Sequence, residues 1–392
     1  MRTAIRRLVA VVLVGHGLIH LLGAAKGLGW AEVAALTEPI TPATGVVWLI
    51  AAIVVVATGV LLAAGKRTWW VAGIAGALVS QAVILTSWGD AKTGTLANLL
   101  LFVALGYTLV AHGPKSYRAE YRRRVQVALR GPQEDAGSVV TEADLAHIPG
   151  LVAGYVRRSG AVGQPRVSSL HARIHGRIRA GANSRWMTYT GEQVNTYGTD
   201  PSRLFWMDAT MFGLPVDVLH VFVGRTATMR VKLCSVLRMV NAAGPEMDRA
   251  ETVTLFNDLC ILAPAALIDA PVVWQPIDDT HVRGVFTNGP QTVSADLLFD
   301  DDGDLVDFFS SDRMSTSLDG ITFTPQPWST PVSDFHSFDA RRLVTRGEGR
   351  WHTTAPRGQF VYLEYNLDTI TYNPRLAPAG PPNRVPFRPP AR

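Results

Sequence analysis

Two histidines four residues apart offer the first possible chemistry in this chain. His16 and His20 lie in the stretch GHGLIHLLG, residues 15–23, inside an apolar run near the N-terminus. Residues four apart share one face of a helix, so both imidazoles would point to the same side. An ionisable ring within a membrane segment marks a candidate site for a ligand or a proton, and imidazole also binds metals and haem.

Haem or metal ligation would need further ligands from neighbouring segments. The other apolar runs contain no histidine in their interiors, and His112 lies at the end of the last run. The alternative is hydrogen bonding to polar side chains of neighbouring helices, which a polar group in lipid requires. The depth of each residue in its run predicts an intramembrane polar cluster of His16, His20, Gln81, Asp90 and Asn98. A structural cluster, a small-ligand or proton-handling site, and a haem or metal site all stay open.

Four apolar runs would position these residues. They cover residues 8–25, 43–64, 69–88 and 95–112. Each run is long enough to cross a hydrocarbon core of about 30 Å as a helix. The first run lacks a clear small-residue cleavage site and three more follow it, so it is not a typical signal peptide. The sequence predicts a bundle of four transmembrane helices in residues 1–112, with the lipid bilayer as its partner.

The distribution of charge around the runs predicts the orientation of the chain. Eleven Lys and Arg residues lie on the side of the N-terminus, and only Lys26 and Lys92 lie on the other side. Because basic loops stay in the cytoplasm, we expect both termini and the second domain there, in a multi-pass protein of a bacterial inner membrane. Residues 113–140 are predicted to form a basic juxtamembrane helix and a linker. Their arginines either meet anionic head groups or simply flank the membrane segment.

Residues 141–375 change to the period-two pattern of β-strands. In LHARIHGRI, residues 170–178, apolar and polar side chains alternate. Similar runs lie on both sides of one helical segment, where Asp248 and Glu251 suggest a capping box. Asp302-Gly303 indicates a hairpin. The sequence predicts a mainly antiparallel β domain, a curved sheet or half-barrel with a central helix, and a proline-rich disordered tail at 376–392.

A long curved sheet would need more apolar cover than two helices supply. Uncovered apolar area is unfavourable by about 25 cal/mol per Å², so a cavity between the sheet and the helices is expected. Its predicted lining is Trp206, Phe222, Phe256, Leu259 and Trp274. Such a concave apolar site would suit an acyl chain or an isoprenoid. The alternative is that the aromatic rings simply fill the core.

Several function classes find no support in the sequence. Residues 136–392 carry 24 basic and 26 acidic side chains, without the concentrated positive charge that nucleic-acid binding needs. The two cysteines, Cys234 and Cys260, form no disulfide framework. No GxSxG, Walker A, Rossmann or HExxH motif occurs. The sequence therefore names no catalytic residue, cofactor or metal. It leaves enzymatic activity and the oligomeric state open.

Several stretches resemble an uncharacterised bacterial family of membrane proteins with a domain of unknown function. They are YVRRSGAVGQPRV, AGPEMDRAETVTLFNDLCILAPAALI, FDDDGDLVDF, GHGLIHLLG and SWGDAKTGTLANLL. The resemblance covers roughly residues 10–375. It carries no established chemistry, and no catalytic residue follows from it.

The order of elements in the second half also resembles the periplasmic lipoprotein-carrier type of half-barrel, in which a curved sheet holds acyl chains beneath helices. Two departures set this chain apart: four membrane spans replace a cleaved signal or lipid anchor, and the charge bias puts the β domain in the cytoplasm. The leading hypothesis is a membrane-tethered β domain that binds a lipid-like ligand. The alternatives are a membrane enzyme or a redox or proton-handling protein that uses His16 and His20, and a structural or assembly protein without a ligand.

Overall fold

Four long apolar helices form the first of the two units into which the chain divides. The computed structural model describes residues 3–131, 137–354 and 358–375. The helical unit comprises Met1–Ser116 with Cys234–Val236, and the β unit comprises Tyr117–Leu233 with Leu237–Arg392. The helices of the helical unit are α1 (Thr3–Gly27), α2 (Pro42–Ala63), α3 (Trp69–Thr86), the short α4 (Trp88–Ala91) and α5 (Thr95–His112), with a 3-10 turn at Lys92–Gly94.

The apolar character of these helices fits the predicted spans. Four stretches are long and apolar enough to cross a membrane: Ile5–Gly27, Pro42–Ala63, Trp69–Thr86 and one within Trp88–Ala128. Small residues let α1 and α2 approach closely, as is common between membrane helices. A Cβ on Gly59 of α2 would lie 2.9 Å from the carbonyl oxygen of Ala10. A larger residue at Gly59 would therefore push these helices apart.

Within residues 117–131, 137–354 and 358–375, the β unit contains three helices and sixteen strands. The helices are α6 (Tyr117–Ala128), α7 (Gly150–Arg158) and α8 (Pro245–Leu262), with 3-10 turns at Glu142–Leu145 and Pro264–Ile268. The strands before α8 are β1 (Ser169–Ile178), β2 (Met187–Thr196), β3 (Ser202–Met211), β4 (Leu214–Val223), β5 (Thr226–Leu233) and β6 (Leu237–Ala243). The strands after α8 are β7 (Val272–Pro276), β8 (His281–Asn288), β9 (Gln291–Phe299), β10 (Leu305–Ser310), β11 (Met314–Thr316), β12 (Phe323–Pro325), β13 (Trp328–Ser329), β14 (Val332–Phe338), β15 (Arg341–His352) and β16 (Gln359–Tyr372).

Fourteen of these strands form one antiparallel sheet that is curved but not closed. Its order is β6-β5-β4-β3-β2-β1-β16-β15-β13-β10-β9-β8-β7, with β14 beside β15, while β11 and β12 pair separately. The first and last strands pair in the middle of the sheet, where Leu170 lies opposite Tyr372. The predicted fold class, a bundle of apolar helices followed by a curved antiparallel sheet with a central helix, is confirmed. The predicted hairpin at Asp302-Gly303 is also confirmed, since it joins β9 to β10.

Helix α8 crosses one face of the sheet because it connects the two edges. It follows β6 at one edge and precedes β7 at the other, and its 18 residues span about 27 Å at 1.5 Å per residue. Every residue from Ala250 to Leu262 is buried. The sequence predicts a single apolar stripe on this helix. Instead, its polar side is buried as well, against charged partners on the sheet.

The predicted capping box of α8 is wrong. The helix begins at Pro245, with Gly244 at the N-cap and without a side-chain cap. Proline suits the first helical position because its missing N–H has no partner there and its φ is already helical. Asp248 instead accepts a hydrogen bond from the backbone N–H of Ala227, at 2.6 Å. Glu251 forms an ion pair with Arg203. Both carboxylates therefore join α8 to the sheet.

The opposite face of the sheet is covered by α6. Tyr117 and Tyr121 of this helix pack against Leu204 and Leu219 of β3 and β4. Helix α6 lies within residues 113–140, for which the sequence predicts a basic juxtamembrane helix and a linker, and its tyrosine face covers the sheet. Residues 132–136 of the predicted linker and the predicted disordered tail at 376–392 lie outside the described residues.

Candidate functional site

The two histidines of α1 are buried side by side within the helical unit. His16 and His20 are 5% and 1% exposed. Their ring centroids lie 4.5 Å apart in an edge-to-face arrangement, and the ring of Trp48 on α2 lies 5.1 Å from that of His20. The helical spacing of four residues thus places both rings on the same face, as the sequence predicts.

A serine of α3 connects the two histidines to α5. The Oγ atom of Ser80 lies 2.7 Å from Nε2 of His20, 3.2 Å from Nε2 of His16 and 2.9 Å from Oδ1 of Asn98. The amide of Asn98 donates to Oε1 of Gln81 at 2.9 Å. Three helices are therefore joined by one network of buried polar side chains.

The positions of the protons in this network follow from its geometry. With the Asn98 amide oriented as in the structure, its Oδ1 has no proton, so the hydroxyl of Ser80 donates to it. Ser80 has no second proton, and Nε2 of His20 must then donate to its oxygen. A neutral His20 protonated at Nε2 keeps a lone pair on Nδ1. That lone pair has no hydrogen-bond partner among the described residues.

A cavity of about 580 Å³ lies beside the histidines. Aliphatic side chains of α1, α3 and α5 form much of its wall: Val12, Ile19, Leu22, Ile84, Leu96 and Leu100. His16, His20 and Trp48 also line it. The indole Nε1 of Trp48, like Nδ1 of His20, has no partner among the described residues. Both unpartnered atoms are thus buried behind the largely apolar wall of this cavity.

The predicted intramembrane cluster is only partly assembled. His16, His20, Asn98 and Gln81 belong to one network, but Asp90 does not. Asp90 lies on α4, beyond the end of α3, and its carboxylate accepts from the backbone N–H groups of Thr37 and Glu38 at 2.6 and 2.8 Å. Backbone N–H groups stabilise a carboxylate there, so Asp90 lines the cavity without reaching the histidines.

Ser80, at the centre of the network, is the residue that the sequence analysis missed. The sequence feature that points to Ser80 is its hydroxyl group directly before Gln81 in an otherwise apolar run. A buried hydroxyl in a membrane helix often bonds to its own helix backbone, as Thr108 does to the carbonyl of Ala104. Only the tertiary arrangement of the helices, which brings His20 of α1 and Asn98 of α5 to Ser80, decides that Ser80 bonds outward instead.

The five residues predicted to line a cavity in the β unit do not lie together. Phe222, Phe256 and Leu259 are buried in the core on the α8 side of the sheet, and Trp274 packs partly buried against it. Trp206 lies in a different cluster with α6. Successive residues of a strand point to opposite faces, so Phe205 faces α8 and Trp206 faces away from it.

Aromatic rings enclose Phe256. The centroids of Phe286, Phe308 and Trp274 lie 5.3, 5.4 and 6.2 Å from its ring centroid. A Cβ on Gly284 would come within 2.6 Å of the ring. The space around Phe256 is thus filled by side chains of the β unit.

A buried ionic cluster, which the sequence analysis did not predict, lies between α8 and the sheet. The guanidinium of Arg203 on β3 donates to Asp258 at 2.7 Å and to Glu251 at 3.0 Å. Gln193 and Asn195 of β2 also donate to Asp258. Burial raises the pKa of Glu251, but the charges of Arg203, His220 and Arg313 outweigh it and hold the pKa below its usual value. Glu251 therefore stays charged, and the bonds of Arg203 to both carboxylates join α8 to β3.

Metal binding finds no support in the part of the chain that the structure describes. Within residues 3–131, 137–354 and 358–375, no three His, Cys, Asp or Glu side chains are grouped closely enough to hold an ion. Cys260 is buried on α8, and burial raises the pKa of its thiol well above the usual value. This cysteine is thus a packing residue rather than a nucleophile.

Comparisons with known proteins place the β unit in a family. The sequence profile of the "Family of unknown function (DUF6544)" matches residues 138–365, more than half of the chain. No curated protein sequence matches the chain.

Two solved structures share a distant likeness with the chain. A DUF1329 family protein from Desulfovibrio piger is 12% identical over 61% of this chain and 96% of its own, with a TM-score of 0.35. A putative outer membrane lipoprotein-sorting protein domain from Vibrio parahaemolyticus is 11% identical over 54% of this chain and 88% of its own, with a TM-score of 0.31. Nothing about the ligand of this chain follows from likenesses of this size.

Proposed function

We propose a function for this chain from its own structure, because the chain belongs to DUF6544, a family of unknown function. The protein is an integral membrane protein, and its helical unit binds an amphiphile with a long apolar body and one small polar head group. The head group lies at His20 and Trp48, and the apolar body lies along α1 and α5.

One observation carries this proposal: an apolar cavity next to two buried polar atoms without partners. Ligand sites are typically concave, mostly apolar and of about 300–1,000 Å³, with a few polar groups that orient the ligand. The cavity of about 580 Å³ falls in this range. A buried polar atom without a partner costs about 1–3 kcal/mol. A small side-chain movement that opens Nδ1 of His20 or Nε1 of Trp48 to the cavity would let a ligand bond to that atom and remove this penalty.

The two free atoms define the chemistry of the head group. The indole Nε1–H of Trp48 can only donate, and Nδ1 of His20 accepts when Nε2 carries the proton. A hydroxyl group both donates and accepts, so one hydroxyl can satisfy either atom or both. The network of Ser80 and Asn98 holds the His20 ring in this state. A long-chain or isoprenoid alcohol is therefore the ligand class that fits best.

We place the apolar ligand in the helical unit rather than between the sheet and α8. The sequence alone favours the β unit for this ligand, because two helices would leave part of a long curved sheet uncovered. In the β unit, however, the ring of Phe256 already has three aromatic neighbours, and charged groups occupy part of the surface of α8. In this proposal, the aromatic residues of the β unit therefore pack in its hydrophobic core and do not contact the ligand.

Photolabelling of the full chain tests the proposal. A long-chain alcohol with a diazirine on its alkyl chain is added to the protein in nanodiscs, and labelled peptides are identified by mass spectrometry. We expect saturable labelling in α1 and α5 that an excess of unlabelled alcohol prevents. Labelling that is spread evenly over all lipid-facing helices, without competition, would contradict a specific site.

Two glycine variants form a matched pair for this experiment. Gly15 lines the cavity, and a Cβ at this position meets no heavy atom within 4 Å. Gly106 on α5 has equally open surroundings but is not among the residues that line the cavity. We expect Gly15→Leu to fill the cavity and abolish competable labelling, and Gly106→Leu to leave it unchanged. Equal labelling of both variants would exclude the cavity as the site.

A further inference from the structure

Exposed apolar side chains lie together at one end of the sheet in the β unit. The turn between β3 and β4 exposes Phe212 by 72% and Leu214 by 43%. At the start of β6, Leu237 and Met239 are 58% and 43% exposed. Leu237 pairs with Leu233, which in turn lies opposite Val216, two residues after Leu214. Neighbouring strands are about 4.8 Å apart, so these four residues form one patch, which we call the hairpin end.

Phe212 is an unusual residue for its turn. Its φ is +50°, and Gly213 follows at +82°. Two-residue hairpin turns of this kind favour Asn-Gly or Asp-Gly, because a bulky residue at positive φ is strained. Such strain persists only where the surrounding structure or a function maintains it. Within the described residues of the β unit, Phe212 stays 72% exposed, and its ring contact is with the guanidinium of Arg185. A binding surface outside the β unit would therefore better explain why a phenylalanine occupies this turn.

Basic side chains flank the apolar ones. The guanidinium of Arg185 lies 5.5 Å from the ring centroid of Phe212, and Arg238 is exposed directly after Leu237. Neither arginine has a carboxylate partner among the ion pairs of the described residues. Exposed aromatic and aliphatic side chains beside unpaired arginines are typical of surfaces that enter the head-group region of anionic bilayers.

We propose that the hairpin end docks onto an anionic lipid bilayer, with Phe212 and Leu214 among the acyl chains and Arg185 and Arg238 at the phosphates. This inference rests on the proposed membrane insertion of the helical unit, which keeps the β unit near a bilayer at high effective concentration. Docking buries the strained Phe212 and gives both arginines anionic partners.

Another exposed hairpin of the chain provides a matched control. Ile321, beside the turn between β11 and β12, is 76% exposed. Its neighbour is Asp319, whose carboxylate bonds to Ser317 and to the backbone N–H of Ile321. This hairpin is therefore equally apolar at its tip but acidic, so anionic lipid should repel it.

Spin labels at the two hairpins test the docking. The full chain carries Cys234→Ser and either Phe212→Cys or Ile321→Cys, while Cys260 stays buried and unreactive. A cysteine suits position 212, since Cys234 itself has a φ of +52°. The label's collision rates with oxygen and with a water-soluble nickel complex are compared in two kinds of vesicle. One is pure phosphatidylcholine, and the other is an equal mixture with phosphatidylglycerol.

In the anionic vesicles, we expect the label at position 212 to collide mainly with oxygen and the label at position 321 to collide mainly with the nickel complex. Arg185→Glu together with Arg238→Glu should return the label at 212 to water. Equal nickel access at both positions, in protein that resists alkaline carbonate extraction, would overturn the docking but leave membrane insertion intact. Extraction by carbonate would overturn both. In detergent, the label at position 212 could instead become less accessible to nickel as the protein concentration rises. That result would indicate that a second copy of the chain covers the hairpin end, and it would overturn the bilayer as the partner.

Discussion

The Nε2 atom of His20 lies 2.7 Å from the Oγ atom of Ser80, and this bond joins α1 to α3 in the interior of the helical unit. His16 approaches the same oxygen at 3.2 Å. One serine thus provides an acceptor for two buried imidazoles.

Replacing this serine should destabilise the helical unit. Ser80→Ala leaves His20 without its acceptor, and interhelical hydrogen bonds in membranes contribute about 0.5–2 kcal/mol. We expect a lower apparent Tm in detergent. Thr108→Ala is the control, because the hydroxyl of Thr108 bonds only to its own helix at 2.9 Å. A Tm drop of the same size in both variants would contradict a special role for Ser80.

The buried ionic cluster predicts a large stability loss in the β unit. Glu251→Gln removes one of the two carboxylates that face Arg203. A buried charge left without any partner costs about 3–5 kcal/mol, and because Asp258 still pairs with Arg203, the loss should be smaller than this. Chemical unfolding of the full chain should show a clearly lower midpoint. Glu142→Gln, which breaks an exposed pair with Arg157, should leave the midpoint unchanged. A Glu251→Gln variant as stable as the parent would refute the charged state of this cluster.

The buried carboxyl group of Asp307 should make the β unit less stable as the pH rises. An ordinary salt-bridged carboxylate has the opposite effect and makes a protein more stable as the pH rises. Burial raises its pKa from 3.8 to about 6. The folded state therefore binds the proton more tightly than the unfolded state, and stability falls as the pH rises from about 4 to about 6. Above this window the loss amounts to about 1–3 kcal/mol.

Asp307→Asn should remove that part of the pH dependence. We expect the variant to match the parent near pH 4 and to exceed its Tm at pH 7, because the amide carries no charge. The difference between the two Tm curves isolates this residue from all other carboxylates. A constant difference across the pH range would contradict the raised pKa.

The orientation of the chain is open to a direct labelling experiment. The bias of basic residues predicts that Asp302, in an exposed hairpin turn, is cytoplasmic and that Glu38 is external. In a Cys234→Ser background, we expect an impermeant thiol reagent to label Glu38→Cys in intact cells and to label Asp302→Cys only after lysis. The reverse pattern would place the β unit outside the cytoplasm.

The sequence by itself determined the elements of this protein. Long uncharged runs have only one stable form in lipid, the helix, because every backbone polar group must bond internally. Alternation in segments such as residues 170–178 specifies a half-buried strand, since side chains of a strand alternate between faces. The spacing of His16 and His20 also fixed their common face, because a helix turns every 3.6 residues.

Only the tertiary structure decided which residues meet. Phe205 and Trp206 are adjacent in an almost entirely buried strand, so hydrophobicity gives no sign of which one faces α8. Arg203 and Asp258 are 55 residues apart, and their bond depends on α8 crossing from one sheet edge to the other. In the sequence, Ser80 resembles a hydroxyl that bonds to its own helix, and only the arrangement of the helices brings His20 to it. Such contacts arise from the relative placement of whole elements, which local periodicity does not encode.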